Sequence, residues 1–402
     1  MKFFKKYIEK HASLLVIIAG AFSFFLSNIL NKEIFSAKEY GYYSIFITYL
    51  SVIYLFGILG LEQNLLRFSS KKNNTIETQI TQIRVIFLVS ILSTLVGSLF
   101  FLFFYPEIKI FYALLLIITY SMINKLFLSN LFRVNLNFVY SQLISNFWKI
   151  VLFLISIVFF IFKIKSFEKL ILLISSSILV IFVFSLILFK KKIQIKYVND
   201  INDKTLYTSA LHFFISITLF TILIFADRFI IEKKFSVEEF GNYFYLTNFF
   251  LAPFSIIQNY IGFKQLIYFK HNFSFPEFKL INLKNFILGI FLSFVLYFFS
   301  TALTKLGLST FKFESYFYDI LIILLIGVLR LFSSSILSAF EALANVESLK
   351  KANMYIITIT FISLSIANIF CFSIITVLLC FVVIWFFRSL THLYLLKKQL
   401  NI

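Results

Sequence analysis

Acidic residues are scarce in this sequence: 18 Asp and Glu stand against 37 Lys and Arg, a net charge of +19 over 402 residues. Glycine (10), histidine (4), proline (3) and cysteine (2) are scarcer still, and several of these shortages exclude a class of chemistry. The two cysteines, Cys371 and Cys380, are nine positions apart. At about 100° per residue they face opposite sides of one helix, which provides neither a disulfide nor a metal pair. His11, His212, His271 and His392 are scattered and show no ligand spacing. No Gly-rich loop ends in Lys-Ser or Lys-Thr, which argues against ATP hydrolysis by this chain. No outward loop clusters carboxylates as a metal-dependent glycosyltransferase would, and no Ser/His/Asp arrangement stands out. Asp200 and Asp203 read as solvated residues of a basic linker. No enzyme activity, cofactor or metal is expected.

What is abundant is apolar. Hydrophobic residues make up 60% of the chain and charged residues 14%, against about 45–50% and about 25% in soluble globules. A bilayer tolerates such a surface, provided the backbone is satisfied inside helices. The basic residues fall mostly in short loops between apolar runs, where they set topology. Membrane lipid is therefore an expected partner and nucleic acid is not.

Apolar stretches of about 20 residues, enough to span, lie near 13–30, 43–61, 84–104, 110–130, 142–162 and 168–189. A second set lies near 209–227, 243–262, 284–303, 317–340, 353–370 and 372–395. The first is longer than a signal-peptide core of about 7–15 residues and lacks a clear cleavage site, so it reads as a retained span. The division near Ile369–Ser373 is the least marked. The predicted fold is all-α, a polytopic membrane protein of about twelve transmembrane helices in two six-helix lobes, 1–195 and 196–402. An even count per half gives both lobes the same orientation, a parallel repeat. Loops on the N-terminal side hold about 23 Lys and Arg, the opposite loops about 11, and about three lie in or at spans. Both termini are thus expected in the cytoplasm, although Lys163, Lys165 and Lys169 run against the trend. The basic, aromatic stretch at 263–283 and the matching Leu65–Lys72 read as amphipathic surface segments.

A motif supports the duplication. Phe35-Ser36-Ala37-Lys38-Glu39-Tyr40-Gly41-Tyr42-Tyr43 returns as Phe235-Ser236-Val237-Glu238-Glu239-Phe240-Gly241-Asn242-Tyr243, 200 positions later. Gly41 and Gly241 read as tight-turn residues, and Glu39 and Glu239 as helix-start carboxylates. Pro253 is expected to kink the eighth span.

Charges inside spans are the candidate functional groups, since a charge at mid-bilayer costs about 2.5–3.5 kcal/mol on insertion scales and normally faces protein or water. Arg330 lies on one helix face with Ser334, Ser338 and Glu341, a stripe extended by Asn345. Lys149 shares a face with Ser141, Ser145 and Ser156. Two readings stand for each stripe: a cavity that attracts an anion, or a buried ion pair with serines joining helices. Arg84 and Lys125 lie near span ends and Arg388 within the last span; all three read as long cations that snorkel to the interface. Arg388 and Arg84 remain further candidate cavity cations. Asp227 and Arg228, at the end of the seventh span, read either as an outer gate or as a solvated helix end.

The Ser36–Tyr43 segment, followed by an apolar run and Gly60-Leu61-Glu62-Gln63-Asn64-Leu65-Leu66-Arg67-Phe68, resembles the first repeat of Wzx-type polysaccharide (O-antigen and capsule) flippases. These belong to the multidrug/oligosaccharidyl-lipid/polysaccharide exporter superfamily. Asp227-Arg228-Phe229-Ile230-Ile231 with Ser236–Tyr243 resembles the second. The resemblance implies two six-helix lobes around a cavity, alternating access, and a bacterial cytoplasmic (inner) membrane location. It implies transport of undecaprenyl-pyrophosphate-linked glycan units toward polysaccharide or lipopolysaccharide synthesis. It further implies H+ or Na+ gradients or the membrane potential as drive, and polysaccharide polymerase and chain-length proteins as partners. Arg330 and Lys149 are then the candidates to face the pyrophosphate. The first span carries Ser23, Ser27 and Asn28 but no charge, a departure if the family pattern places a cation there. The competing readings are an ion-coupled drug exporter, which would keep acidic residues deep in its spans, and a polymerase or ligase, which would need a large catalytic loop.

Overall fold

The computed structural model describes the backbone at residues 2–72, 75–198, 203–307, 309–370 and 372–400, and side chains within those ranges except at 2–11, 205, 216, 259, 263, 264, 266, 267, 270, 271 and 346. In chain order the elements are α1 (Lys2–Ile34), α2 (Ala37–Phe56), α3 (Leu61–Phe68), β1 (Ser70–Lys72), β2 (Thr75–Gln79), α4 (Ile80–Phe104), α5 (Tyr112–Val134), α6 (Phe138–Ile161) and α7 (Phe167–Lys192). They continue as β3 (Gln194–Val198), α8 (Asp203–Lys234), α9 (Val237–Asn272), α10 (Phe275–Lys305), α11 (Phe317–Leu343), α12 (Val346–Ile369) and α13 (Ile374–Leu400). A single 3-10 turn at Phe313–Tyr316 precedes α11. Each expected span coincides with a long helix, and eleven helical stretches among the described residues are long and apolar enough to cross a membrane. The protein is an all-α, multi-pass membrane protein. Asp200, Cys371 and the side chains of His11 and His271 lie outside the described residues.

The helix order repeats. Ser36 and Ser236 each cap the next helix with a reciprocal box: the Glu39 and Glu239 amides donate to the serine hydroxyls (3.3 and 3.2 Å). The serine amides donate back to the glutamates (3.1 and 3.3 Å). Two orphan amides are satisfied at each helix start. Gly41 and Gly241, expected from sequence to be tight-turn residues, are instead buried inside α2 and α9, one turn past the cap. The motif thus marks a helix start followed by a packed face: Tyr40, Tyr43, Phe240 and Tyr243 are all buried.

The fourth long helix of each series, α5 or α11, is the most enclosed apart from α2 and its continuation. α5 packs on α2, α4, α6 and α7; α11 packs on α9, α10 and α13. Polar links fix these hubs. Tyr49 and Ser98 meet Thr119 at 2.6 and 3.2 Å, and Asn285 donates to Ser335. A Cβ on Gly327 would lie 2.8 Å from the Phe254 ring, so glycine permits the close approach of α11 to α9 beside Pro253. Pro253 sits inside α9, which continues to Asn272. The 263–272 stretch is therefore the end of α9 and no separate surface helix.

Two features depart from the sequence reading. The second span breaks after Phe56, with Leu59 and Gly60 at positive φ (51° and 77°), before resuming as α3. A Cβ on Gly60 would lie 2.7 Å from the Phe213 carbonyl oxygen, so α8 closes on the break. The second feature is a small sheet, order β1-β2-β3, in which β2 pairs antiparallel with β1 and parallel with β3. Ser70–Lys72 is thus a strand and not part of an amphipathic helix. Glu77 bridges Lys196 (3.3 Å) and Lys72 (3.8 Å), and Lys71 donates to the Asn135 carbonyl (3.2 Å). The sheet therefore gathers three basic loops on one face of the first unit. Asn64 also holds the start of α8, through the Leu206 carbonyl (3.1 Å) and the Ser209 hydroxyl (2.8 Å). The compact units accordingly divide at Met1–Phe225 and Ala226–Ile402, inside α8, and not at the 195/196 linker.

The register pairs Glu77 with Lys196, within the Cα spacing of about 4.4–6.8 Å that a disulfide bridges. Glu77→Cys with Lys196→Cys should cross-link on mild oxidation, read as a mobility shift in gels. Glu77→Cys with Lys191→Cys should not. The reverse pattern would refute the parallel β2–β3 pairing.

Candidate functional site

Each repeat uses its motif tyrosine to tie two helices together. Tyr43 donates to Asn28 Oδ1 on α1 (3.2 Å), and Tyr243 donates to Asp227 Oδ2 on α8 (2.5 Å). Asp227 was expected at the end of a span. It lies instead seven residues inside α8, buried. Arg228 points elsewhere, its guanidinium carbon 5.0 Å from the centre of the Phe244 ring.

The densest positive charge in the second unit lies around one tryptophan. Arg330, on α11, places its guanidinium carbon 5.4 Å from the Trp385 ring centre and donates from Nε to Gln258 Oε1 on α9 (3.2 Å). Arg388, three residues after Trp385 and so on the same face of α13, lies 5.2 Å from the same ring. Trp385 is 2% exposed and Arg388 8%. Arg388 therefore does not snorkel to the interface. Its Nη1 is buried without a hydrogen-bond partner. Asp227 and Arg228 are within electrostatic reach of Arg330, and Glu341 of Arg388. None of these carboxylates closes an ion pair with Arg330 or Arg388.

Magnitudes show what this leaves. A desolvated cation–π contact contributes about 2 kcal/mol, while taking an ion out of water costs several kcal/mol even after relaxation. Two guanidiniums on one ring also repel each other. Trp385 offsets only part of the cost, and the cluster is short of negative charge. The arginine stripe itself divides. The Ser334 hydroxyl bonds the Leu331 carbonyl (2.6 Å) and that of Ser338 bonds Ser334 (2.8 Å), so both serve their own helix. Glu341 is exposed. Asn345 lies beyond α11 and caps α12 by accepting from the Ser348 amide (2.8 Å).

In the first unit, Lys149 on α6 donates to Asn146 Oδ1 (3.1 Å) and lies 5.9 Å from the Phe24 ring centre. Its companion serines join helices: Ser145 meets Ser129 of α5 and Tyr54 of α2, each at 2.8 Å, and Ser141 meets Ser129 at 3.0 Å. Ser156 bonds the Leu152 carbonyl (2.9 Å). Lys125 on α5 was expected at the interface. It is fully buried instead, 5.8 Å from the Trp148 ring centre. It occupies the position in α5 that Arg330 occupies in α11, thirteen residues after Tyr112 and Phe317 respectively. The 200-residue motif offset could not reveal this, because intervening loops of unequal length change the offset. Arg84 is exposed near the start of α4 and joins neither cluster.

Compared with family models, with curated proteins and with solved structures, the chain matches none of them.

Tyr243→Phe should lower stability by about 1–3 kcal/mol, the cost of leaving a buried acceptor unpaired. Tyr43→Phe should cost less, because the acceptor it leaves, Asn28 Oδ1, is a neutral amide oxygen and not a carboxylate. Thermal unfolding of the two variants in one detergent compares them, and equal losses would contradict the distinction.

Proposed function

We propose that this protein is a flippase that moves undecaprenyl-pyrophosphate-linked oligosaccharide units from the inner to the outer leaflet of the bacterial cytoplasmic membrane, for O-antigen, capsule or a related polysaccharide. The observation that carries this reading is the pair of guanidiniums on Trp385, Arg388 buried and Arg330 half-buried, with which no carboxylate closes an ion pair. A pyrophosphate is a suitable complement. It carries the missing negative charge, and arginine's planar fork matches phosphate geometry. The duplicated multi-pass fold suits alternating access, and the lipid tail stays in the bilayer while the head group exchanges water for arginine. The basic β1-β2-β3 face is taken as cytoplasmic, following the positive-inside rule.

No nucleotide is needed in this scheme. Moving one uncompensated negative charge outward across about 100 mV, inside negative, releases about 2.3 kcal/mol. The membrane potential, or H+ or Na+ exchange, supplies the direction. Polysaccharide polymerase and chain-length proteins are the partners this reading implies.

A second reading has one observation in its favour. Asp227 is a buried carboxylate within a helix, of the kind an ion-coupled drug exporter would keep. The surplus of deep basic groups over deep acidic ones favours the anionic cargo.

Flipping of a fluorescent undecaprenyl-pyrophosphate oligosaccharide in proteoliposomes tests the proposal. Arg330→Ala and Arg388→Ala, folded as judged by size-exclusion profile, should each slow flipping by tenfold or more, since about 1.4 kcal/mol of lost complementarity is already tenfold. Collapsing an imposed potential should slow the wild type. A folded wild type that flips no such lipid, whatever the sugar, while extruding ethidium in an Asp227-dependent manner, would replace this reading with the exporter.

A further inference from the structure

The lysine pair of the first unit has no role in the scheme so far. Lys125 is completely enclosed, and its Nζ has no hydrogen-bond partner. A buried ammonium without acceptors is costly, because it forfeits hydration and gains nothing in return. Nor does a carboxylate lie in range to answer it: the charged group within electrostatic reach of Lys125 is Lys149, another cation.

The helix geometry explains why two cations are held side by side. α5 and α6 are antiparallel neighbours joined at Ser129–Ser145. Lys125 is four residues before Ser129, and Lys149 four residues after Ser145. On antiparallel helices both steps run the same way along the axis, about one turn. The two ammonium groups therefore occupy the same level, just past the serine junction. Trp148 and Phe24, edge to face with ring centres 6.0 Å apart, form an apolar wall beside them.

The level is also built from the α1 side. A Cβ on Gly20 would lie 2.6 Å from Asn146 Cβ, so glycine lets α1 press against α6 there. Asn146 donates to the Gln142 carbonyl and to Gln142 Oε1, both at 3.1 Å, which turns its own Oδ1 toward Lys149. Lys149 is only half buried and is the accessible side of the pair. The arrangement has donors, a positioning amide and an aromatic wall, and it lacks an anionic acceptor.

We propose that Lys125 and Lys149 form a second oxyanion site, separate from the arginine pair, which takes a carboxylate or phosphate of the transported head group. The site's existence rests on these residues alone; only the identity of its occupant rests on the flippase reading. An ammonium is a point charge without fixed directionality. It accepts a carboxylate on a sugar ring as readily as a phosphate, and a sugar so held lies against Trp148. The glycan class that this site fits is one bearing an acidic sugar.

The chain has two tryptophans, so Trp385→Phe leaves Trp148 as the sole indole reporter. The full-length protein in lipid nanodiscs is titrated with methyl β-glucuronide, inorganic phosphate and methyl β-glucoside while Trp148 emission is followed. A saturable change with the glucuronide or phosphate, absent with the glucoside, is expected. Lys149→Gln and Lys125→Met should each raise the half-saturating concentration by about tenfold or more, the scale of one lost charge-assisted bond. Lys125→Met should not impair folding, since it keeps the side chain's length and removes a buried charge. Gly20→Ala, which displaces Asn146, should weaken the response with both lysines present. Tighter response to glucuronide assigns the site to an acidic sugar, and tighter response to phosphate assigns it to the lipid linker. No saturable response to either anion, an equal response to the glucoside, or a response indifferent to both lysine substitutions overturns the site. Flipping of a neutral-sugar lipid in proteoliposomes is scored separately, so loss of the flippase reading and loss of this site are distinct results.

Discussion

The cost of holding positive charge away from water shapes the interior of both units. Lys125 is wholly buried and Arg388 nearly so, while Lys149 and Arg330 are half enclosed. The described residues place no ion-paired carboxylate on any of the four. A soluble protein commonly pairs such groups. This one uses aromatic faces: Trp148 and Phe24 in one unit, Trp385 in the other. Aromatic faces give less than a carboxylate, yet they leave the positive field unquenched. A structural ion pair would have neutralised that field. The polar groups around it are disposed accordingly, with Gln258 and Asn146 offering neutral oxygens and no negative charge.

The scaffold is held by different chemistry. Capping boxes at Ser36 and Ser236 fix where α2 and α9 begin, and the motif tyrosines then reach back to the preceding helix. Serine and threonine hydroxyls on α5, α6 and α11 bond carbonyls one turn back or bridge to neighbouring helices. In an apolar solvent, hydroxyls and small residues bring helices close where hydrophobic burial cannot. This accounts for the serine stripes beside Arg330 and Lys149. The serines join helices or serve their own backbone, and the cations are set at fixed levels relative to those junctions.

Much of this was legible in the sequence. Runs of apolar residues gave the helices, and the recurrence of Ser, Glu, Gly and Tyr 200 positions apart gave the duplication and the two helix starts. What could not be read was tertiary. Lys125 sits near the end of an apolar run and Arg388 within the last one, both read as snorkelling cations, and only packing against Trp148 and Trp385 encloses them. Asp227 marks a drop in hydropathy but no end of helix, because its carboxylate is answered by Tyr243 from the next helix. The β1-β2-β3 sheet was hidden for another reason. Its strands are three to five residues long and two lie more than a hundred residues apart, so no local periodicity announces the pairing. The break at Gly57–Gly60 was likewise masked, because Ile58, Leu59 and Leu61 carry the apolar run through it.

The two units have diverged at the equivalent hub position, and the divergence has chemical content. α5 carries Lys125 where α11 carries Arg330. Lysine is a compact, strongly hydrated charge, whereas arginine is a planar fork that stacks on aromatic rings and presents paired donors. The arginine cluster is therefore suited to a group with several oxygens in fixed geometry, and the lysine pair to a single charge on a more variable scaffold. On the proposed reading, the constant part of the cargo, the pyrophosphate, meets the unit with fixed directionality. The variable part, the sugar, meets the unit that demands charge but little geometry. Trp148 beside the lysines and Trp385 between the arginines arise from non-equivalent helices, α6 and α13. Ancestral duplication cannot by itself explain that both cation pairs found an indole. A cation pair held against an indole, with no carboxylate paired to it, is what both units have in common.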